Sequence, residues 1–196
     1  MTGRTGQISR KTNETDITLE FGLDGEGQVD IDVNVPFMSH MLDLFARHGH
    51  FDLKVKAHGD VDIDDHHTTE DIGICLGEAL KQAVGDKKGI RRYGQAWVPM
   101  DDALVQVVVD LSNRPHLEMR GTFPAQKVGT FDTELVHEFF WKLAVEARMN
   151  LHVIIHYGKI THHMIEASFK ALARAIDEAV AIDPRVKGVP STKGKL

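Results

Sequence analysis

Cysteine is almost missing: Cys75 is alone in 196 residues, within an apolar stretch. No internal disulfide can form, which suits a reducing cytoplasm, and the thiol is expected to pack rather than react. Long apolar runs are missing too. None approaches the roughly 18 residues that span a bilayer, and positions 1–17 hold no hydrophobic segment of the export type, so a soluble, cytoplasmic protein is expected. Positive charge is not in excess, with 23 Lys and Arg against 29 Asp and Glu and a formal net charge of −6. That balance argues against a broad footprint for nucleic acid or for a membrane surface, and any anionic ligand must be met by locally gathered Arg and Lys. A 42% hydrophobic share, in contrast, is enough to build a core and excludes disorder. The chain is also rich in histidine, with 12, the side chain most used for metals and for proton transfer near neutral pH.

Hydrophobic spacing sets the organisation. Ile17, Leu19 and Phe21 alternate, a Gly-rich turn follows at 24–27, and Val29, Ile31, Val33 and Val35 alternate again, which predicts a hairpin. Pro36 opens a helical stretch with Met38, Met41, Leu42 and Phe45, ended by Gly49. Phe51, Leu53 and Val55 form a strand pattern, and the acidic stretch 60–65, which lacks calcium-loop spacing, is expected to be a solvated turn. Residues 65–84 predict a longer amphipathic helix stopped by Gly85. The order then recurs: strands through Val105, Val107, Val109, Leu117 and Met119, a helix over 131–149, a strand through Leu151, Val153 and Ile155, and a helix over 161–180. This predicts an internally duplicated α+β fold, two similar halves each of a small mixed sheet backed by helices, packed pseudo-symmetrically. One domain over 1–196 is expected, with half-repeats of about 1–90 and 91–182 and a functional tail at 183–196.

The repeat has chemical anchors. His40 precedes His66 by 26 residues, and His137 precedes His162 by 25. His66-His67-x-x-Glu70 is matched by His162-His163-x-x-Glu166. On a helix the Glu lies one turn beyond the first His and within reach of the second, while adjacent histidines diverge by about 100°. Each motif therefore suits two ions rather than one. Together with His40 and His137 the motifs supply six imidazoles and two carboxylates, three His and one Glu per ion if divided evenly. Octahedral ions so held keep positions open for substrate. Imidazole and carboxylate without thiolate suit Mn, Fe, Zn or Ni. His48, His50, His58, His116, His152 and His156, taken singly, read as capped or solvated residues.

These motifs lie in a longer string: Arg10-Lys11-Thr12-Asn13-Glu14-Thr15, His40-Met41-Leu42-Asp43, Asp65-His66-His67-Thr68-Thr69-Glu70-Asp71-Ile72-Gly73, Arg92-Tyr93-Gly94, Pro99-Met100-Asp101, Ser112-Asn113-Arg114-Pro115, His162-His163-Met164-Ile165-Glu166-Ala167-Ser168-Phe169-Lys170 and Pro190-Ser191-Thr192-Lys193-Gly194. Over nearly its whole length the sequence resembles the imidazoleglycerol-phosphate dehydratases, enzymes of histidine biosynthesis. The resemblance implies a duplicated fold, two Mn(2+) per active site, and a homo-oligomeric shell of twenty-four subunits. It also implies dehydration of a phosphorylated imidazole substrate, imidazole glycerol phosphate, to imidazole acetol phosphate.

That substrate has no carbonyl to acidify the proton that leaves. A metal-stabilised imidazolate can supply the electrons instead, expelling the hydroxyl to give a diazafulvene-like intermediate, and two Lewis acids match the duplicated ligand set. The family places Glu14 at the substrate as acid/base, although from sequence alone a glutamate beside a polar strand is usually surface; His48 is a second catalytic candidate. Substrate contacts implied are His40, Asp43, His48, His66, His67, Glu70 and His162. Arg92, Arg114, Lys170, Ser191, Thr192 and Lys193 are assigned to the phosphate. The implied metal ligands are His40, His66, His67, Glu70, His137, His162, His163 and Glu166. A dinuclear metallohydrolase would use the same ligands around a bridging hydroxide, and a metal-storage protein would have no use for Glu14 or the arginines.

Overall fold

Strand β2 (Thr15–Gly22) buries Ile17, Leu19 and Phe21 and turns the residues between them outward, as two-residue alternation requires of a sheet with one wet face. The structure, a computed structural model, describes residues 3–196. Around β2 the first half consists of β1 (Thr5–Lys11), β3 (Val29–Val33), α1 (Pro36–Gly49), β4 (Asp52–Gly59) and α2 (His66–Val84). The second comprises β5 (Tyr93–Met100), β6 (Ala103–Asp110), β7 (His116–Arg120), the small pair β8 (Lys127–Val128) and β9 (Phe131–Asp132), α3 (Leu135–Glu146), β10 (Asn150–Tyr157) and α4 (Thr161–Val180). The sheets have orders β1-β2-β4-β3 and β5-β6-β10-β7, each antiparallel except for its last pair, which is parallel. The same topology twice is the expected duplicated α+β fold.

Two local expectations need correction. β2 and β3 are not a hairpin: β4 lies between them, and β3 reaches it in parallel through α1, because parallel neighbours need a crossover. The Gly-rich segment therefore carries the chain across the end of β4, where Asp52 Oδ1 accepts the backbone N–H of Glu26 and Gln28 at 3.0 Å each. The helix expected over 131–149 covers only α3, preceded by β9 and followed by Arg148 in the left-handed region, φ 54°.

Helices α1 and α2 cover the first sheet and α3 and α4 the second, and the two helical layers meet through α1 against α4 and α2 against α3. Phe21, Phe45 and Phe51 pack together in one half, and Phe139, Phe140 and Phe169 in the other. Strand and helix approach closely at Gly6 and Gly94. A Cβ there would stand 2.1 Å from the Ala79 carbonyl oxygen or 1.9 Å from that of Ala175. Cys75 is fully buried, and burial pushes its thiol up to about 12, which keeps it protonated and unreactive.

Candidate metal centre

The α1–α4 seam holds the first cluster. Met38, Met41, Leu42 and Phe45 turn one face of α1 into the core, which leaves His40 on the side that looks across at α4. There His162 and Glu166 sit one turn apart. His40 Nε2 and His162 Nε2 each stand 2.9 Å from Glu166 Oε1, and Lys170 Nζ donates to Glu166 Oε2 at 2.8 Å. Burial pushes the Glu166 carboxyl up, but Lys170, His40 and His162 together outweigh it and hold it at about 2. It is an ionised acceptor.

The α2–α3 seam holds the second. His66 Nε2 lies 3.5 Å from Glu70 Oε2, and Lys142 Nζ bridges Glu70 Oε1 at 2.7 Å and Glu138 Oε1 at 3.3 Å. His66, Glu70 and Glu138 converge, as do His40, His162 and Glu166, with one donor atom from each within 4.8 Å of the others. His137 borders the same cleft but is exposed and stands outside this set.

The second imidazole of each motif turns away from its neighbour, with rings 5.9 Å apart for His66 and His67 and 6.3 Å for His162 and His163. Each is held from behind. His67 Nδ1 donates to Asp60 Oδ2 at 3.0 Å, and His163 Nδ1 to Asp102 Oδ1 at 2.6 Å. The His163 bond, with the backbone N–H groups of Lys159 and Ile160, keeps Asp102 far below the usual carboxylate range. An ionised carboxylate only accepts, so Nδ1 carries the proton and, in the neutral ring, Nε2 is left with the lone pair. Near each Nε2 lies a hairpin-turn carboxylate: Glu14 at 3.8 Å from His67 and Asp101 at 3.7 Å from His163. Asp60 is thus no merely solvated turn residue. The Glu14 turn is itself fixed, since Thr12 Oγ1 accepts the N–H of Glu14 and Thr15 at 3.0 Å each, and Thr15 donates to buried Asp71, the ion-pair partner of Arg10.

These donor sets fit divalent ions. Two cis ligands on an ion with bonds of about 2.1 Å stand about 3 Å apart, close to the 2.9 Å spacings around Glu166 Oε1.

A cationic cluster lies elsewhere. Buried Arg92, in the left-handed region at φ 73°, donates to both carboxylate oxygens of Asp110 at 2.6 and 3.1 Å and to the Pro190 carbonyl at 2.9 Å. That contact ties Ser191, Thr192 and Lys193 of the tail to the loop of Arg114, whose Nη2 is 3.7 Å from Asp110. Lys87, which sequence reasoning passed over, supports the loop by donating to Leu111 O at 3.1 Å and Asn113 Oδ1 at 2.8 Å. The Arg92 backbone is anchored at Ala179, about 20 Å along α4 from Glu166. Lys170, in contrast, pairs with Glu166 in the α1–α4 seam. His48 faces Lys170 and Arg174; burial first, then those cations, hold its imidazole below the usual range. Asp43 pairs with Arg47 at 2.9 Å and joins neither cluster. Asp102, Glu138 and Lys142 were also passed over in sequence.

An internally duplicated α+β fold with one His-and-carboxylate set in each helix seam defines a class of proteins whose residues could hold metal in both seams. The imidazoleglycerol-phosphate dehydratase family model matches residues 33–176. Relatives named imidazoleglycerol-phosphate dehydratase are 76% identical in Bacillus subtilis (strain 168), over 98% of this chain and 100% of the relative, and 73% identical in Geobacillus thermodenitrificans (strain NG80-2), over 98% and 99%. The crystal structure of the Staphylococcus aureus dehydratase superposes with a TM-score of 0.83 at 41% identity, covering 91% of this chain and 99% of that one. That of the Pyrococcus furiosus protein, in complex with (S)-C348, gives 0.84 at 39%, covering 96% and 100%. The chain belongs to the imidazoleglycerol-phosphate dehydratase family, and it is a hydro-lyase.

Proposed function

We propose that this enzyme removes water from imidazole glycerol phosphate to give imidazole acetol phosphate in histidine biosynthesis. The observation that carries the reading is the pair of ligand sets in equivalent seams, each with an extra imidazole whose Nε2 is free. An imidazole substrate has two ring nitrogens to be met, and two divalent ions, Mn(2+) by the family resemblance, would act as Lewis acids upon them. Glu14, on a fixed turn beside His67, takes and returns the carbon-bound proton. His48, its pKa lowered and its ring therefore neutral at pH 7, has one N–H donor and one acceptor nitrogen. It relays a proton from the retained hydroxyl to the departing one, which leaves as water. Arg114, the tail hydroxyls and Lys193 bind the phosphate, while Arg92 holds the tail in place.

The phosphate cluster stands about 20 Å along α4 from Glu166, farther than so small a substrate extends. Each site is therefore shared between subunits, with His67 and His163 completing the sets of neighbouring chains. The surfaces agree with such assembly. Tyr93 and Trp97 on β5 are 57% and 53% exposed, an aromatic patch suited to packing against further copies. No helix is long and apolar enough to cross a membrane among the described residues. Incubating manganese-loaded protein with imidazole glycerol phosphate should yield the keto product, and no product at any metal load would sink the reading. Chelation should break the particle into smaller oligomers with secondary structure retained, which light scattering and circular dichroism would follow.

A further inference from the structure

The two seams can be superposed residue by residue. Buried Met38, Met41, Leu42, Phe45 and Ala46 of α1 correspond, at a constant shift of 98, to buried Val136, Phe139, Phe140, Leu143 and Ala144 of α3. The helix ends agree independently: His50 and Arg148, at the same shift, are both left-handed, φ 55° and 54°. Beyond them Phe51 N–H donates to Ala46 O and Met149 N–H to Ala144 O. Leu53, Val55 and Ala57 of β4 then match Leu151, Val153 and Ile155 of β10. In this register the counterpart of His40 is Glu138, and His137 corresponds to Ser39.

We infer that Glu138, in place of His137, is the α3 ligand of the second ion, and that the two ions are therefore held by chemically unequal sets. The inference rests on the reading of both seams as metal sites. Within one chain the α1–α4 set is two imidazoles and one carboxylate, and the α2–α3 set is one imidazole and two carboxylates. Lys142 draws the two carboxylates of the second set together from one side, and one ligand atom of each stands within 4.8 Å of the other and of a His66 ring nitrogen. Adding one imidazole from a neighbour to each gives three His with one Glu, and two His with two Glu. The even division expected from the motifs fails because the identical letters, His40 and His137, occupy different helical positions. Carboxylate-rich sets favour Mn(2+), whereas imidazole-rich sets favour Zn(2+) and Ni(2+). The second site is the one that discriminates for manganese.

Equilibrium dialysis of the whole protein against Mn(2+) and, separately, Zn(2+), with elemental analysis, tests this. Glu138→Gln should keep the first class of sites and weaken the second for Mn(2+) by at least about tenfold. His137→Asn should keep both classes. Glu138→His should restore the second class and raise its preference for Zn(2+) over Mn(2+) by about tenfold or more. Loss of the second class in His137→Asn with retention in Glu138→Gln would overturn the inference, as would a Glu138→His protein with unchanged metal preference. If Glu138→Gln failed to fold, the other two variants would still decide. Wild-type protein that bound no stoichiometric metal would overturn the reading of the seams as metal sites, a result distinct from any of these.

Discussion

In the first half a hairpin turn offers Glu14 to His67, and in the second the corresponding turn offers Asp101 to His163, at nearly equal distances of 3.8 and 3.7 Å. Their supports differ. The Glu14 turn is tied through Thr12, Thr15 and Asp71 to α2, whereas Asp101 sits at a left-handed position with its side chain 74% exposed, next to an Asp102 already committed to α4. Other features are kept in both copies: the Nδ1-bound carboxylate behind the outer imidazole, the glycine where strand meets helix, and the left-handed end of the shorter helix. The arginine and tail cluster exists in the second half alone. Duplication thus retained what orients the ligands and the core, and chemistry diverged at positions that touch solvent.

The largest effect should separate the two turns. Glu14→Gln keeps shape but cannot carry a proton, so turnover should fall about 10²- to 10⁴-fold with metal content unchanged. Asp101→Asn should lower it less than about tenfold, because its turn is not held against the site. Steady-state rates with metal analysis on the same samples would decide, and equal losses would mean that both turns serve the chemistry. Next come the carboxylates behind the imidazoles. Asp60→Asn and Asp102→Asn should each weaken metal binding by about 10- to 100-fold, Asp102 more, since it also accepts the N–H groups of Lys159 and Ile160. Metal titration in which Asp60→Asn suffered more would reverse that ranking.

Much of this was legible in the amino-acid order. Two-residue alternation at Ile17–Leu19–Phe21 and Leu151–Val153–Ile155, Pro36 and Gly85 as boundaries, and the paired HHxxE motifs lead to the duplicated α+β fold. What local spacing could not tell is which strands pair. A glycine-rich turn between two alternating runs reads as a hairpin whether or not a third strand inserts, and β4 comes later in the chain. Asp60 was read as a solvated turn residue and Asp102 escaped notice, because one precedes its histidine by seven residues and the other by sixty-one. Glu138 was hidden differently: matching histidine to histidine pairs His40 with His137, whereas matching apolar stripe to apolar stripe pairs it with Glu138.

A smaller effect tests whether the halves pack alike. Gly6→Ala and Gly94→Ala would each drive a methyl into a helix carbonyl, of Ala79 or Ala175. Backbone cannot yield as a flexible side chain does, so each should cost about 1–3 kcal/mol, similar in the two halves. Denaturant midpoints at constant slope would measure this. A tolerated alanine at only one site would show that one half holds its helix more loosely.

The subtlest test concerns protons at the outer imidazole of the first half. The hydrogen bond to Asp60 is the largest cause raising the His67 pKa; burial opposes it, and Glu14 and Asp64 add to the rise. A metal needs the neutral ring, so protons compete for Nε2 below the folded pKa. Because that pKa is raised, metal held through His67 should begin to leave, as pH falls, above the range where an ordinary imidazole would release it. Asn in place of Asp60 still accepts the Nδ1 proton but carries no charge, so the raising influence disappears while the tautomer stays. The binding-versus-pH curve of Asp60→Asn should accordingly move to lower pH, even though its affinity at pH 8 is weaker than that of wild type. Two readouts from one variant then answer different questions, height for orientation and midpoint for charge. A curve that dropped without moving would mean that Asp60 acts on His67 by position alone.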